Sequence, residues 1–305
     1  MSVNDGTRLL QSFSNAVAQL ADEVSLSVVS ISTGRRGGTG IVWSDDGLLV
    51  TANHVIGGAT APQVKLSDGT ELEAKLVGRD PYTDVAVLRV DSKGLKAIAH
   101  EKQGTPRVGE FVLALANPYG VKASATSGIV TSPSRSMRGW WGMTIENAVV
   151  SDAKLNPGYS GGPLVSASGS LVGMNVAYFS GRGVAVSAET LRETVEKLLK
   201  DGRVKKGYLG VVVETVELPE ELAGSEGVGQ DTGLMVRSVE TGSPARAAGV
   251  VIGDVIVSLG DSKALDEYGL HKALSEETVG KPVALQVLRG EKLTKLTVTP
   301  KEAEA

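Results

Sequence analysis

Residues 156–164 read Asn156-Pro157-Gly158-Tyr159-Ser160-Gly161-Gly162-Pro163-Leu164, a serine set among glycines and bracketed by two prolines. Gly158-Tyr159-Ser160-Gly161-Gly162 fits the GxSxG spacing of a nucleophile elbow, in which the serine turn opens a helix above a parallel sheet. The following residues reject that context. Glycine and proline are the poorest helix formers, and the one histidine after the serine is the distant His271. The other reading is a tight turn between two strands, where glycine permits backbone conformations closed to other residues and successive N–H groups converge on one point. The stretch then belongs to an antiparallel β structure, and the N–H groups of Gly158 and Ser160 become candidate donors to an oxyanion.

The flanking chain agrees. Short β-rich runs occur at 27–32, 39–43, 48–51, 71–77, 85–90, 111–116, 123–130, 145–150 and 171–177. Asp45-Asp46-Gly47, Ser67-Asp68-Gly69 and Ser168-Gly169 supply turns between them. Strands at this spacing without an intervening long helix predict an antiparallel barrel or sandwich. Ahead of them, Leu9, Phe13, Val17 and Leu20 form one apolar stripe on a short helix. At Ser187 the period changes to helical, with Leu191, Val195, Leu198 and Leu199 on one face, Ser187 as N-cap and Gly202 as stop. From Tyr208 to about Pro300 a second, α+β unit follows, with strands near 210–214, 234–239 and 255–259, a helix near 265–274 and a hairpin across Gly290-Glu291.

A chain of 305 residues is expected to hold two domains. With 31 Lys+Arg against 35 Asp+Glu, the net charge of −4 offers no basic excess for nucleic acid or an anionic membrane. Cysteine is absent, which excludes disulfides, thiolate metal sites and thiol nucleophiles. No GxxxxGK[ST] loop, HExxH or cluster of acidic ligands occurs, so neither a cofactor nor a metal is expected. No window approaches the roughly 18 apolar residues of a spanning helix, and residues 1–21 carry no signal-like apolar core. A cytoplasmic location is expected if Met1 is the native start. The alternative is a periplasmic or membrane-anchored protein whose signal or anchor has been removed.

Acyl transfer at neutral pH needs a nucleophile, a base with a pKa near 7, an acid partner to orient that base, and donors for the oxyanion. Ser160 is a candidate nucleophile. His54 lies in Thr51-Ala52-Asn53-His54-Val55, between an apolar strand and the Gly57-Gly58 turn. Asp84 stands at the entry to the apolar run Val85-Ala86-Val87-Leu88, where a carboxylate needs a hydrogen-bonding partner and an imidazole N–H would serve. His100 and His271 fit structural or surface roles. The order His54, Asp84, Ser160, with separations of 30 and 76, is of the chymotrypsin type.

At these residues the sequence resembles the HtrA (DegP/DegS) family of trypsin-like serine proteases. The resemblance rests on Thr51 to Val55, Thr83-Asp84-Val85-Ala86-Val87-Leu88, Asn117-Pro118, Ala125-Thr126-Ser127-Gly128-Ile129-Val130, and Asp152-Ala153 leading to the serine turn. Tyr208-Leu209-Gly210-Val211, and Ser243-Pro244-Ala245 through Gly253-Asp254, look like that family's PDZ domain.

The resemblance implies a mostly β protein, a chymotrypsin-like double six-stranded β-barrel followed by a small α+β PDZ domain. The expected layout is an N-terminal helical segment at 1–24, the protease domain at 25–200, a linker at 201–207 and the PDZ domain at 208–301. The implied activity is ATP-independent endopeptidase action on unfolded or misfolded proteins. His54 would deprotonate Ser160, Asp84 would orient the imidazole, and the Gly158 and Ser160 N–H groups would hold the oxyanion.

Lys154, six residues before the serine, replaces the carboxylate that selects basic P1 residues, so aliphatic P1 residues are expected, with substrate pairing along Gly183-Val184-Ala185. Leu209, Gly210 and Val211 would form the loop that receives a peptide's C-terminal carboxylate. A homotrimer or higher oligomer is implied, with the Leu9–Leu20 stripe as a contributor. Trp140 and Trp141 read either as substrate or subunit contacts or as partly buried under a loop. Tyr159 departs from the family's usual Asn; its side chain is expected to point away from the nucleophile. The alternative function is a catalytically silent, chaperone-like peptide-binding scaffold.

Overall fold

The computed structural model describes residues 3–34, 36–100, 104–121, 123–138, 144–179, 181–203 and 206–303. They fall in two units, Met1–Val204 and Lys205–Ala305. The first begins with α1 (Val3–Ser25), β1 (Val28–Ser32), β2 (Gly37–Val42), β3 (Leu48–Ala52) and the single helical turn α2 (Asn53–Ile56). β4 (Gln63–Lys65), β5 (Glu71–Glu73), β6 (Lys75–Asp80) and β7 (Val85–Arg89) follow. All seven strands form one sheet, ordered β5-β4-β1-β2-β3-β7-β6. Val, Ile and Leu suit a pleated, packed surface, and Ile31, Ile41, Leu49 and Leu88 are fully buried in its core.

The run expected as one strand over 71–77 is two strands, broken at buried Ala74. β5 pairs with β4 at one edge of the sheet and β6 with β7 at the other. One continuous piece of chain thus joins both edges, and the sheet wraps on itself. Across the seam the Ala74 N–H donates to Pro62 O at 2.9 Å and the Leu76 N–H to Thr60 O at 3.2 Å. The first barrel therefore has a seventh strand.

β8 (Phe111–Ala116), β9 (Ser124–Arg138), β10 (Thr144–Ser151), β11 (Pro163–Ser166), β12 (Leu171–Phe179) and β13 (Arg182–Ser187) close a six-stranded barrel, ordered β10-β13-β12-β11-β8-β9. α3 (Ala188–Asp201) ends the unit as its sequence signals require. Ser187 Oγ accepts from the Thr190 N–H at 3.2 Å, and left-handed Gly202 sends its N–H to Leu198 O. Leu191, Val195 and Leu198 are buried, while Leu199 lies off the packed stripe and is exposed. α1 is longer than the stripe suggested. Val17, Leu20 and Ala21 pack on the core and Val24 is buried, but Leu9, Leu10 and Phe13 are exposed.

The second unit runs β14 (Gly207–Tyr208), β15 (Val211–Glu217), α4 (Glu220–Ala223), β16 (Thr232–Val239), α5 (Pro244–Ala247), β17 (Val255–Leu259), β18 (Ser262–Lys263) and α6 (Glu267–Ala273). It closes with β19 (Val283–Arg289), β20 (Lys292–Val298) and β21 (Lys301–Glu302). Its sheet is ordered β15-β16-β17-β19-β20, with β15 at an edge. Leu234, Val236, Ile256, Leu285 and Val287 fill the core.

Candidate active site

Asp80 builds the turn that delivers the carboxylate. Its Oδ1 accepts the Tyr82 N–H at 3.0 Å and its Oδ2 the Thr83 hydroxyl at 2.7 Å, an aspartate bonding its own turn. The chain then enters the left-handed region at Asp84, φ 57°, which aspartate tolerates better than most residues. Asp84 is buried, yet both oxygens are satisfied by one residue. Oδ1 accepts the His54 backbone N–H at 2.9 Å, and Oδ2 lies 2.6 Å from His54 Nδ1. The backbone N–H can only donate, so the His54 main chain fixes which oxygen faces the ring. The imidazole is 39% exposed, open enough to meet a substrate.

The serine turn is type II. The Tyr159 N–H donates to Asn156 O at 3.1 Å; Pro157 occupies the second position and Gly158, φ 92°, the third. Three consecutive peptide units are then accounted for. Unit 158–159 is held at both ends, its N–H by Asn156 O and its C=O by the Thr39 hydroxyl at 2.7 Å. Unit 160–161 is also held at both ends, its C=O by the Thr39 N–H at 3.0 Å and its N–H by Asn175 O at 2.8 Å. Unit 159–160 is held at its C=O alone, by the Gly162 N–H at 3.0 Å. Among the described residues neither the Gly158 nor the Ser160 N–H meets an acceptor. Ser160 Oγ is 3.3 Å from Val176 O.

Histidine and serine turns meet across β2. A Cβ added to Gly38 would touch both Val55 and Ser160 O, and one added to Gly161 would overlap Thr39 O and Thr51 Oγ1 and lie 3.1 Å from Ala52 N. Glycine is required at both positions for this approach.

The chain matches a trypsin-like peptidase domain over residues 38–174 and a PDZ domain over residues 207–299. It is 36% identical over 270 residues to a probable periplasmic serine endoprotease DegP-like protein of Brucella suis, covering 86% of this chain and 52% of that one. A protein of the same description from Pseudomonas savastanoi is 37% identical over 268 residues, with 86% and 55% covered. The chain spans about half the length of these curated relatives. Among solved structures, the HtrA-type protease AlgW with tripeptide is 34% identical, with 94% of this chain and 97% of that one covered and a TM-score of 0.79. The serine endoprotease from Yersinia pestis is 31% identical, with 94% and 98% covered and a TM-score of 0.75. The chain belongs to the HtrA protease family.

For this HtrA-family chain several expectations need correction. Its relatives are described as periplasmic, which overturns the cytoplasmic location; among the described residues no helix is long and apolar enough to cross a membrane. Gly183, Val184 and Ala185 cannot receive a substrate strand. They pair with Ser151, Val150 and Val149 of β10 on one side and with Tyr178, Ala177 and Asn175 of β12 on the other, so no backbone edge is free. The available edge belongs to β12 beyond Asn175, whose N–H and carbonyl are taken by Gly162 O and the Gly161 N–H at 2.8 Å, on the side where Val176 O faces the serine. Trp140 and Trp141 lie outside the described residues.

Tyr159 is buried among Leu155, Leu164, Val149 and Ala185 in the second barrel, and this burial raises its phenol above the usual value. Lys154 is exposed. His100 stacks on Trp43 at 4.1 Å with Nε2 3.1 Å from Trp43 O, and His271 lies on α6 of the second unit. Thr39, Asn175 and Val176 gave no signal in the sequence, because a threonine, an asparagine and a valine in strands look ordinary until the partner strands are known.

In the second unit, left-handed Gly210 (φ 75°) backs onto Ser243, where an added Cβ would overlap. The carbonyls of Leu209 and Gly210 accept from the Ala245 and Glu240 N–H groups at 2.9 Å. The N–H groups of Gly210 and Val211 point the opposite way, as a trans peptide demands. Among the described residues β15 leaves one edge without a strand, and α6 stands beside it, with Thr215 Oγ1 donating to Glu267 at 2.9 Å.

Proposed function

We propose that the first unit is a serine endopeptidase acting through His54, Asp84 and Ser160. The observation that carries this reading is the Asp84–His54 pair. Its carboxylate is buried and fully occupied by one histidine, leaving Nε2 as the free base, beside a serine turn with two unclaimed N–H groups. His54 takes the Ser160 proton as Oγ attacks the peptide carbonyl. The Gly158 and Ser160 N–H groups receive the oxyanion, and the imidazolium then protonates the leaving amine. Asp84 holds the proton on Nδ1 and stabilises the imidazolium.

The backbone edge of β12 at residues 176–178 takes the substrate as an added strand. Exposed Lys154, in place of a carboxylate, supports apolar rather than basic P1 residues. The family supports unfolded proteins as the substrate class, and the relatives' description supports a periplasmic location. The protease part spans 25–200, and 201–207 links it to the PDZ part at 208–301. There the Leu209-Gly210-Val211 turn and the β15 edge take a peptide with a free, apolar C-terminal residue. The exposed Leu9, Leu10 and Phe13 of α1 support assembly into a homotrimer, which sedimentation tests.

The function is tested by fluorophosphonate labelling and by digestion of casein with mass-spectrometric mapping of the cuts. Labelling lost in Ser160→Ala and His54→Ala, with cuts after aliphatic residues, is the expected result. A wild-type chain that binds C-terminal peptides yet neither labels nor cuts, even with denatured protein added as activator, would favour the scaffold reading.

A further inference from the structure

We propose that Thr39, a residue of the first barrel, is the positioning residue that holds the oxyanion turn of the second barrel in its donating form, acting through the Gly158 carbonyl. The inference rests on the serine-protease reading and deepens it.

Thr39 is fully buried on β2 and all of its polar atoms are engaged. Its N–H donates to Ser160 O at 3.0 Å, and its C=O accepts the Thr51 hydroxyl at 2.6 Å. Its hydroxyl stands between the Asn117 N–H, at 3.0 Å, and Gly158 O, at 2.7 Å. The Asn117 N–H can only donate, so Oγ1 accepts there and directs its single proton to Gly158. The carbonyls of both residues that supply the oxyanion donors, Gly158 and Ser160, are thus held by one residue of the other barrel.

The Gly158 carbonyl matters because glycine at φ 92° has few steric limits of its own. A type II turn and its type I alternative differ by rotation of the central peptide, here 157–158, whose N–H is one of the two donors. Rotation about the Gly158 bonds is resisted on one side by Pro118, which an added Cβ would overlap, and on the other by the Thr39 hydroxyl. Removing the hydroxyl leaves the part-buried Gly158 O and the buried Asn117 N–H without their partner, which favours rearrangement of the turn. The backbone bonds of residue 39 to Ser160 and Thr51 survive substitution by valine or alanine, so the tether between barrels persists while the positioning bond is lost.

The test compares Thr39→Val, Thr39→Ala and Thr39→Ser in the full chain, using a chromogenic peptide with an aliphatic P1 residue and a peptide boronate that forms a tetrahedral adduct with serine. Thr39→Val and Thr39→Ala should lower kcat by about 10- to 100-fold with KM within about threefold, less than the loss from deleting an oxyanion donor outright. Boronate affinity should fall in step with kcat, while Thr39→Ser stays within about threefold of wild type. Val and Ala variants that keep kcat overturn the proposal. So does a kcat loss without a matching loss of boronate affinity, or unfolding of both variants with Ser normal, which would make Thr39 a structural tether only. A wild-type chain with neither hydrolysis nor phosphonate labelling overturns the protease reading itself, and this inference with it.

Discussion

Asp84→Asn tests the His54–Asp84 pair with little disturbance of shape. Asparagine fills the same volume and tolerates the left-handed backbone that Asp84 adopts. It differs in having one acceptor and one donor group where the carboxylate has two acceptors. The His54 backbone N–H, 2.9 Å from Oδ1, can only donate and therefore claims the amide oxygen. The NH2 group then faces Nδ1, where Oδ2 now lies 2.6 Å away, and that nitrogen must accept. The ring proton moves to Nε2, the atom that has to take the Ser160 proton. Turnover should fall by about 10⁴-fold, the loss known for amidating the acid of such a triad, or about 5 kcal/mol of barrier. Steady-state hydrolysis of a peptide with an aliphatic P1 residue measures the loss, and thermal unfolding verifies that the variant folds. A folded variant with kcat within tenfold of wild type would refute the tautomer reasoning.

Gly158→Ala places a Cβ against Pro118 in a backbone conformation alanine resists; kcat should fall by about 100-fold or more, since an oxyanion donor moves, and unchanged kcat would show that the Gly158 N–H is not used. Tyr159→Asn removes a ring from the core around Leu155 and Leu164 and should destabilise the first unit by about 2–4 kcal/mol in denaturant titrations. In the second unit, burial alone would raise the Asp254 carboxyl, but the Arg289 guanidinium at 2.8 Å and the Val251 N–H outweigh it and hold the pKa below 3.8. The stability this group contributes is fully present above pH 3.8 and is lost as the pH falls through the depressed folded value. Asp254→Asn should lower the unfolding midpoint of that unit at pH 7 and flatten its dependence on pH below 4. An acid limb as steep as in wild type would contradict this.

The features that could be read from sequence are those whose physics is local or ordered along the chain. Ser187 and Gly202 bracket α3 because a cap and a stop act within one turn. His54, Asp84 and Ser160 stand out by order, and Gly158 by a backbone angle that glycine alone adopts easily. Features that depend on neighbours distant in the sequence could not be read. The 71–77 run looks like one strand, and its break at Ala74 follows from two pairings on opposite edges. Gly183-Val184-Ala185 has the apolar character of a strand that could accept a peptide, but strand pattern is silent on whether both edges are occupied. β4 and β11, of three and four residues, are too short to carry a period. The exposure of Leu9 and Phe13 contrasts with the packing of Val17 and Leu20 on the same stripe, since amphipathicity gives a face and not its partner.

The seam at Ala74 bears on a hazard peculiar to enzymes that cut polypeptides, namely one another. A single scission there would cut the direct covalent link between the two margins of the sheet that carries the imidazole and its carboxylate, leaving hydrogen bonds to hold the cylinder shut. Ala74 is wholly buried and its amide is engaged by Pro62, so this clasp has to break its own seam before it can be presented as the extended strand a neighbouring molecule would need for attack.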